Sequence, residues 1–240
     1  MPDPALDEAL SHLVIANRIL AREDVIDDFG HVSIRHPTNP GHYFLSRSRS
    51  PELVTRADLI EFTLDSEPID QNGRSMYRER VLHGAVYQAR PDVNSVTHFH
   101  ARPVLPFTIT PQKLRPAFHM ASVIGHSVPV WDSRAEFGDT NMLVETPDQG
   151  RSMARALGQE RCVLLRGHGA TCAGASLREA VFVSVYLKEN ADLILRTLPL
   201  GEPDYLTPGE IDQARAMLLS ELTMTRAWDY RVARAGYPGL

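Results

Sequence analysis

The chain has 240 residues, 43% of them hydrophobic, enough to bury a substantial core, so disorder is excluded as its main state. Twenty-five basic against thirty acidic residues give a net charge of -5, no electrostatic footprint for nucleic acid. Two cysteines, Cys162 and Cys172, exclude a disulfide scaffold or multi-cysteine zinc module, whereas ten histidines make imidazole the candidate for metal or proton chemistry.

Leu6, Leu10, Leu13 and Leu20 recur at helical spacing, predicting an amphipathic first helix that ends near Arg22. The period then shortens. Val32 and Ile34, Tyr43 to Leu45, and Leu59 to Phe62 read as three short strands between Pro and Gly turns. Tyr77 to Arg90 returns to helical spacing, placing Glu79 and His83 at i and i+4 on one face. A strand over Val93 to Phe99 follows, then strands at Val128 to Trp131 and Cys162 to Leu165 with a helix from Gly150 to Leu157 between them. Ser176 to Glu179 and Thr207 to Glu210 have the capping-box pattern and start two further helices. No repeat or long linker interrupts residues 1–240, which predicts one domain. Its class is α/β, with three α/β/α layers around a mainly antiparallel sheet.

The N-terminal stretch is acidic, with no basic segment before an apolar run, and no later segment is apolar for long enough to cross a bilayer. A soluble, cytoplasmic protein in a reducing compartment is expected, with no membrane partner.

Strand alternation in Ser95-Val96-Thr97-His98-Phe99-His100 puts His98 and His100 on one face. His168, between Gly167 and Gly169 after an apolar strand, sits where a loop residue carries function. Read singly, a His-x-His pair is as often structural, a turn histidine needs no ligand, and a helical glutamate is usually solvated. A cupin also uses His-x-His on a strand, but a glutamate a few residues on is missing here, and long C-terminal helices do not suit a small barrel.

Taken together, Glu79 in RERVLHGAVYQARPDVNSVTHFH, the later LLRGHGA and the capped helix resemble the class II aldolase/adducin superfamily, from the first helix to beyond Leu195. The resemblance implies that His98, His100 and His168 hold one divalent metal ion. Zinc is the first choice, with manganese, cobalt and iron as alternatives. It also implies that Glu79 is the catalytic acid/base. Three neutral imidazoles leave the ion its full charge and an open position for a substrate with two oxygens.

The superfamily holds sugar-phosphate aldolases, an epimerase, decarboxylases and the non-catalytic adducin head; the retained histidines argue against the last. Where its aldolases cradle phosphate, this chain has Gly30-His31-Val32-Ser33, Ser48-Arg49 and Tyr77-Arg78. Those departures resemble the decarboxylase branch that includes 3,4-dihydroxyphthalate decarboxylase. They imply a metal-dependent carbon–carbon lyase acting on a small acidic substrate, a hydroxylated aromatic dicarboxylate or carboxymuconic semialdehyde from aromatic degradation. The alternative is a metal-dependent aldolase on a hydroxy acid or sugar phosphate.

His31, Ser33, Ser48, Arg47, Arg49 and Arg78 are candidate substrate-binding residues, the arginines for carboxylate recognition. His83 supports Glu79, while His119 and His126 have no assignable pattern. The resemblance further implies a homo-oligomer, commonly a tetramer, whose sites borrow a C-terminal residue from a neighbour, with Tyr230 and Trp228 as candidates.

Overall fold

A computed structural model describes residues 3–237. Asp3 caps the first helix, α1 (Pro4–Arg22), by accepting from the Ala5 and Leu6 amides. Three strands follow, β1 (His31–Arg35), β2 (His42–Ser46) and β3 (Leu59–Thr63). Helix α2 (Arg80–Ala89) and strand β4 (Ser95–Phe99) come next, then the short α3 (Leu105–Ile109), β5 (Val130–Trp131) and α4 (Arg134–Phe137). The chain continues through α5 (Pro147–Leu157), β6 (Cys162–Leu165) and β7 (Gly169–Gly174) to α6 (Leu177–Thr197), α7 (Pro208–Leu218) and α8 (Glu221–Arg234).

One seven-stranded sheet, in the order β3-β2-β1-β4-β7-β6-β5, forms the middle layer. All its pairings are antiparallel except β5 with β6. Helices α1 and α6, backed by α8, cover one face, and α2 and α5 cover the other. The α/β/α architecture and mainly antiparallel sheet expected from sequence are therefore present. Each fully buried aliphatic side chain in the core, such as Leu13 or Ile19, contributes about 1.5–3 kcal/mol. Among the described residues no helix is long and apolar enough to cross a membrane.

The structure moves several expected boundaries. Helix α5 starts at Pro147, because Thr146 and Gln149 form a full capping box. Thr207 and Glu210 also make the reciprocal pair. Ser176, by contrast, accepts from the Glu179 amide while the Glu179 carboxylate turns to Arg161.

Helix α2 begins only at Arg80, so Glu79 is its N-cap and not a residue on its face. The Glu79 side chain caps no amide of its own helix and is left for other partners. His83 does not support Glu79 by hydrogen bonding as expected; it bonds His31 and Ser33 instead.

Strand β7, GATCAG, was not anticipated. Its small residues let α6 pack close, since a Cβ on Gly174 would lie 2.5 Å from the Ala180 nitrogen.

Candidate active site

The central strands end together. His31 pairs with His98 across β1 and β4, Phe99 with Ala170 across β4 and β7, and Leu165 with Gly169 across β6 and β7. Alternation in β4 sends Thr97 to Ser184 on α6 and His98 to the opposite face, where His100, one residue past the strand, joins it. His168 reaches the same place from the β6–β7 turn, where Gly167 takes φ +65°, a conformation suited to glycine.

Nε2 of His100 lies 3.2 Å from Nε2 of His98 and 3.2 Å from Nε2 of His168. Oε2 of Glu79 is 3.5 Å from His98 Nε2 and 3.6 Å from His168 Nε2. One donor atom from each of these four residues falls within 4.8 Å of all the others. The sequence thus named a set of residues that the fold assembles from an N-cap, a strand end and a hairpin turn.

Burial first, and then the neighbouring rings, lowers the His168 pKa to about 4, and burial likewise lowers that of His100. Burial alone raises the Glu79 pKa, but His98, His168 and the Val144 amide hold it down at about 2. The Val144 N–H donates to Glu79 Oε1 at 2.9 Å. Oε2 is therefore the oxygen that faces the histidines. A neutral imidazole has one N–H and one lone pair, so ring nitrogens meeting at 3.2 Å either share a hydrogen or turn their lone pairs toward a common cation. Adjacent nitrogens around a divalent ion with bonds of about 2.1 Å stand about 3.0–3.4 Å apart. The donor set fits such an ion.

The backs of the rings are held differently. His98 Nδ1 is 3.2 Å from Thr171 Oγ1. His100 Nδ1 donates at 3.2 Å to Asp27 Oδ1, which also accepts from the Phe29 and Gly30 amides. Asp27 was not among the expected site residues. In sequence it marks only the end of the first helical segment, and its contact with His100 spans 73 residues. A carboxylate behind a ligating imidazole fixes its tautomer and raises its basicity. Asp27→Asn keeps the amide acceptor but loses the charge, and lowers metal affinity about tenfold; competition against a chromophoric chelator measures this.

Beside the four residues opens a cavity of about 520 Å³, whose wall includes His31, Ser48, Arg49, Tyr77 and Arg78. Phe29, 70% exposed, also borders it. Tyr77 donates its hydroxyl hydrogen to the Arg49 carbonyl and so pins the Ser48-Arg49 loop.

Arg47 pairs with Asp58 at 2.6 Å and Arg49 with the same carboxylate at 3.2 Å. Arg47 is not part of the cavity wall. Arg78 is 73% exposed and pairs with Glu145 at 2.5 Å. Two guanidiniums on one carboxylate leave a single net positive charge near Arg49.

Ser33 is fully buried behind His31, away from the cavity. Tyr230 lies on α8, 58% exposed and bonded to Arg234, and is not part of its own chain's cavity lining. Trp228 packs inside its own chain against His12 and Arg178. His126 pairs with Asp212 outside the site.

Asp58 was also missed from sequence. Burial opposes its ionisation, but Arg47, Thr55 and Arg49 hold its pKa at about 2 against an ordinary 3.8. A lowered folded-state pKa means that its stabilisation is complete above pH ~4 and is lost as pH falls toward ~2. Asp58→Asn lowers the thermal midpoint by roughly 2–6 °C at pH 7. The gap from the unsubstituted protein narrows by pH 3 in a calorimetric pH series.

The family model described as Class II Aldolase and Adducin N-terminal domain matches residues 11–195. Decarboxylase tropJ from Talaromyces stipitatus is 37% identical over 188 residues, 73% of this chain and 71% of its own. A 3,4-dihydroxyphthalate decarboxylase from Terrabacter sp. is 30% identical over 235 residues, 92% of this chain and 94% of its own. Among solved structures, L-fuculose 1-phosphate aldolase from Glaciozyma antarctica has a TM-score of 0.80 at 21% identity. That alignment covers 96% of this chain and 89% of the other, and shows the shared fold. The chain belongs to the class II aldolase and adducin N-terminal domain family, as an enzyme of the lyase class.

Proposed function

We propose that this protein is a divalent-metal-dependent decarboxylase of a hydroxylated aromatic dicarboxylate of the 3,4-dihydroxyphthalate kind, or of a carboxymuconic semialdehyde. Such a role belongs to aromatic degradation in the cytoplasm, with the chain in a homo-oligomer of tetramer type. The observation that carries the reading is the convergence of His98, His100, His168 and Glu79 within 4.8 Å beside an open cavity. The relatives named as decarboxylases favour loss of carbon dioxide over aldol cleavage.

His98, His100 and His168 hold the metal, zinc in the first instance, and when bound it supplies Lewis acidity for negative charge building on vicinal substrate oxygens. Glu79, a carboxylate at neutral pH, accepts the proton of a substrate hydroxyl at Oε2 while the Val144 amide holds Oε1. The bond to the departing carboxylate breaks, and its electron pair stays on the substrate carbon. Glu79 then returns the proton to that carbon and is a carboxylate again. Arg49 holds the second carboxylate at the rim, with Asp58 and Tyr77 fixing its position. Tyr230 of a neighbouring chain completes the wall in the oligomer.

Offering dihydroxyphthalate, a carboxymuconic semialdehyde and a sugar phosphate, each with and without chelator, tests this. Chelator-sensitive carbon dioxide from one of the acids supports it. Aldehyde from the sugar phosphate, with no carbon dioxide from either acid, overturns it in favour of an aldolase.

A further inference from the structure

His31 lines the cavity, but one of its ring nitrogens is already committed. Nδ1 lies 2.7 Å from Nε2 of His83. Nδ1 of His83 lies 2.7 Å from Ser33 Oγ, which is itself 2.7 Å from the Tyr87 hydroxyl. All four side chains are buried, and among the described residues no carboxylate is hydrogen-bonded to any of them. The arrangement follows from two periods. Alternation puts His31 and Ser33 on one face of β1, and the helical i, i+4 spacing puts His83 and Tyr87 on the face of α2 that meets it.

The direction of the protons along such a row is decided at its closed end. The Tyr87 hydroxyl has Ser33 as its side-chain partner, and a buried phenol whose hydrogen finds no acceptor costs about 1–3 kcal/mol. Tyr87 therefore donates to Ser33. Ser33 then donates its single hydrogen to Nδ1 of His83. Fully buried and without a carboxylate partner, His83 is neutral; burial lowers its pKa to about 3. Its one hydrogen is consequently on Nε2, donated to Nδ1 of His31. A neutral His31 must then carry its own hydrogen on Nε2. Run the other way, the row would strand the phenol hydrogen of Tyr87.

We propose that the row Tyr87–Ser33–His83–His31 locks His31 in its Nε2–H tautomer and makes it a hydrogen-bond donor to an anionic oxygen of the bound acid. The donation rests on the decarboxylase reading above; the tautomer does not. A neutral donor suits this position, beside a site for a dication, because it binds an anionic oxygen without adding a positive charge that repels the ion. Ser33, His83 and Tyr87 are positioning residues, acting on substrate only through His31.

Neutron diffraction from the deuterated, metal-loaded protein reads the tautomers directly. Deuterium on Nε2 of both His31 and His83 is expected; deuterium on Nδ1 of His83 overturns the lock, whatever the substrate. Tyr87→Phe keeps the ring and removes the hydrogen that sets the direction, so both tautomers become allowed. KM for the decarboxylated acid then rises about two- to tenfold, the scale of one ordinary hydrogen bond, at unchanged metal content. An unchanged KM overturns the donation to substrate, as does a protein that releases carbon dioxide from no acid.

Discussion

Glu79→Gln lowers the turnover of the decarboxylated acid by about 100- to 10,000-fold, the usual contribution of a positioned proton-transfer group, while the metal content stays near that of the unsubstituted protein. Glutamine keeps the shape and leaves an oxygen to accept from the Val144 amide, so the cavity wall is preserved. It has no carboxylate to accept a hydroxyl proton and return it to carbon. Retained metal is expected because three imidazoles remain. Metal analysis beside steady-state rates separates proton transfer from lost ligation. Equal turnover in the glutamine variant contradicts the role of Glu79, and metal lost together with activity makes it chiefly a ligand.

Gly169→Ala has the largest expected effect on the fold. A Cβ there would sit 2.3 Å from the Phe99 carbonyl oxygen and 3.0 Å from Cδ2 of His100. The oxygen belongs to the β4 backbone, where Phe99 pairs with Ala170, so it cannot withdraw without opening the centre of the sheet. Overpacking of this kind costs about 1–3 kcal/mol or more, a drop of roughly 5–10 °C in thermal midpoint. Metal affinity falls with it, because the displaced groups carry His100 and His168. Gly209 provides the control. Nothing lies within 4 Å of a Cβ there, and Gly209→Ala leaves both the midpoint and the affinity nearly unchanged.

Gly169 also shows where sequence reading succeeds and where it stops. A histidine flanked by glycines after an apolar run signals close backbone approach, and the approach is that of Phe99. The face shared by His98 and His100 was legible because strand alternation fixes it locally, whereas their grouping with His168 came from the family resemblance. The α/β/α layering was legible from the change of hydrophobic period along the chain. Glu79 was placed on a helix face because the helical pattern does not mark where α2 begins. As the N-cap it has a carboxylate free to reach across to Val144 and the histidines.

Other partners lie far away in sequence and carry no local mark. His83 looked like an aid to Glu79 one turn away, yet its partners are on β1. The arginines of the Ser46 to Pro51 segment looked like free positive charge until folding brought Asp58 beneath Arg47 and Arg49. Strand β7 has too little apolar bulk to read as a strand, because small residues are what the close packing of α6 demands.

Metal-dependent catalysis at the three histidines is tested most directly by titrating a divalent ion into chelated protein while recording carbon dioxide release from the acid it decarboxylates. Release should rise in proportion to bound metal, reach its plateau at one ion per chain, and stay at background in His168→Ala. Full release from chelated protein, or a plateau independent of bound metal, would contradict it.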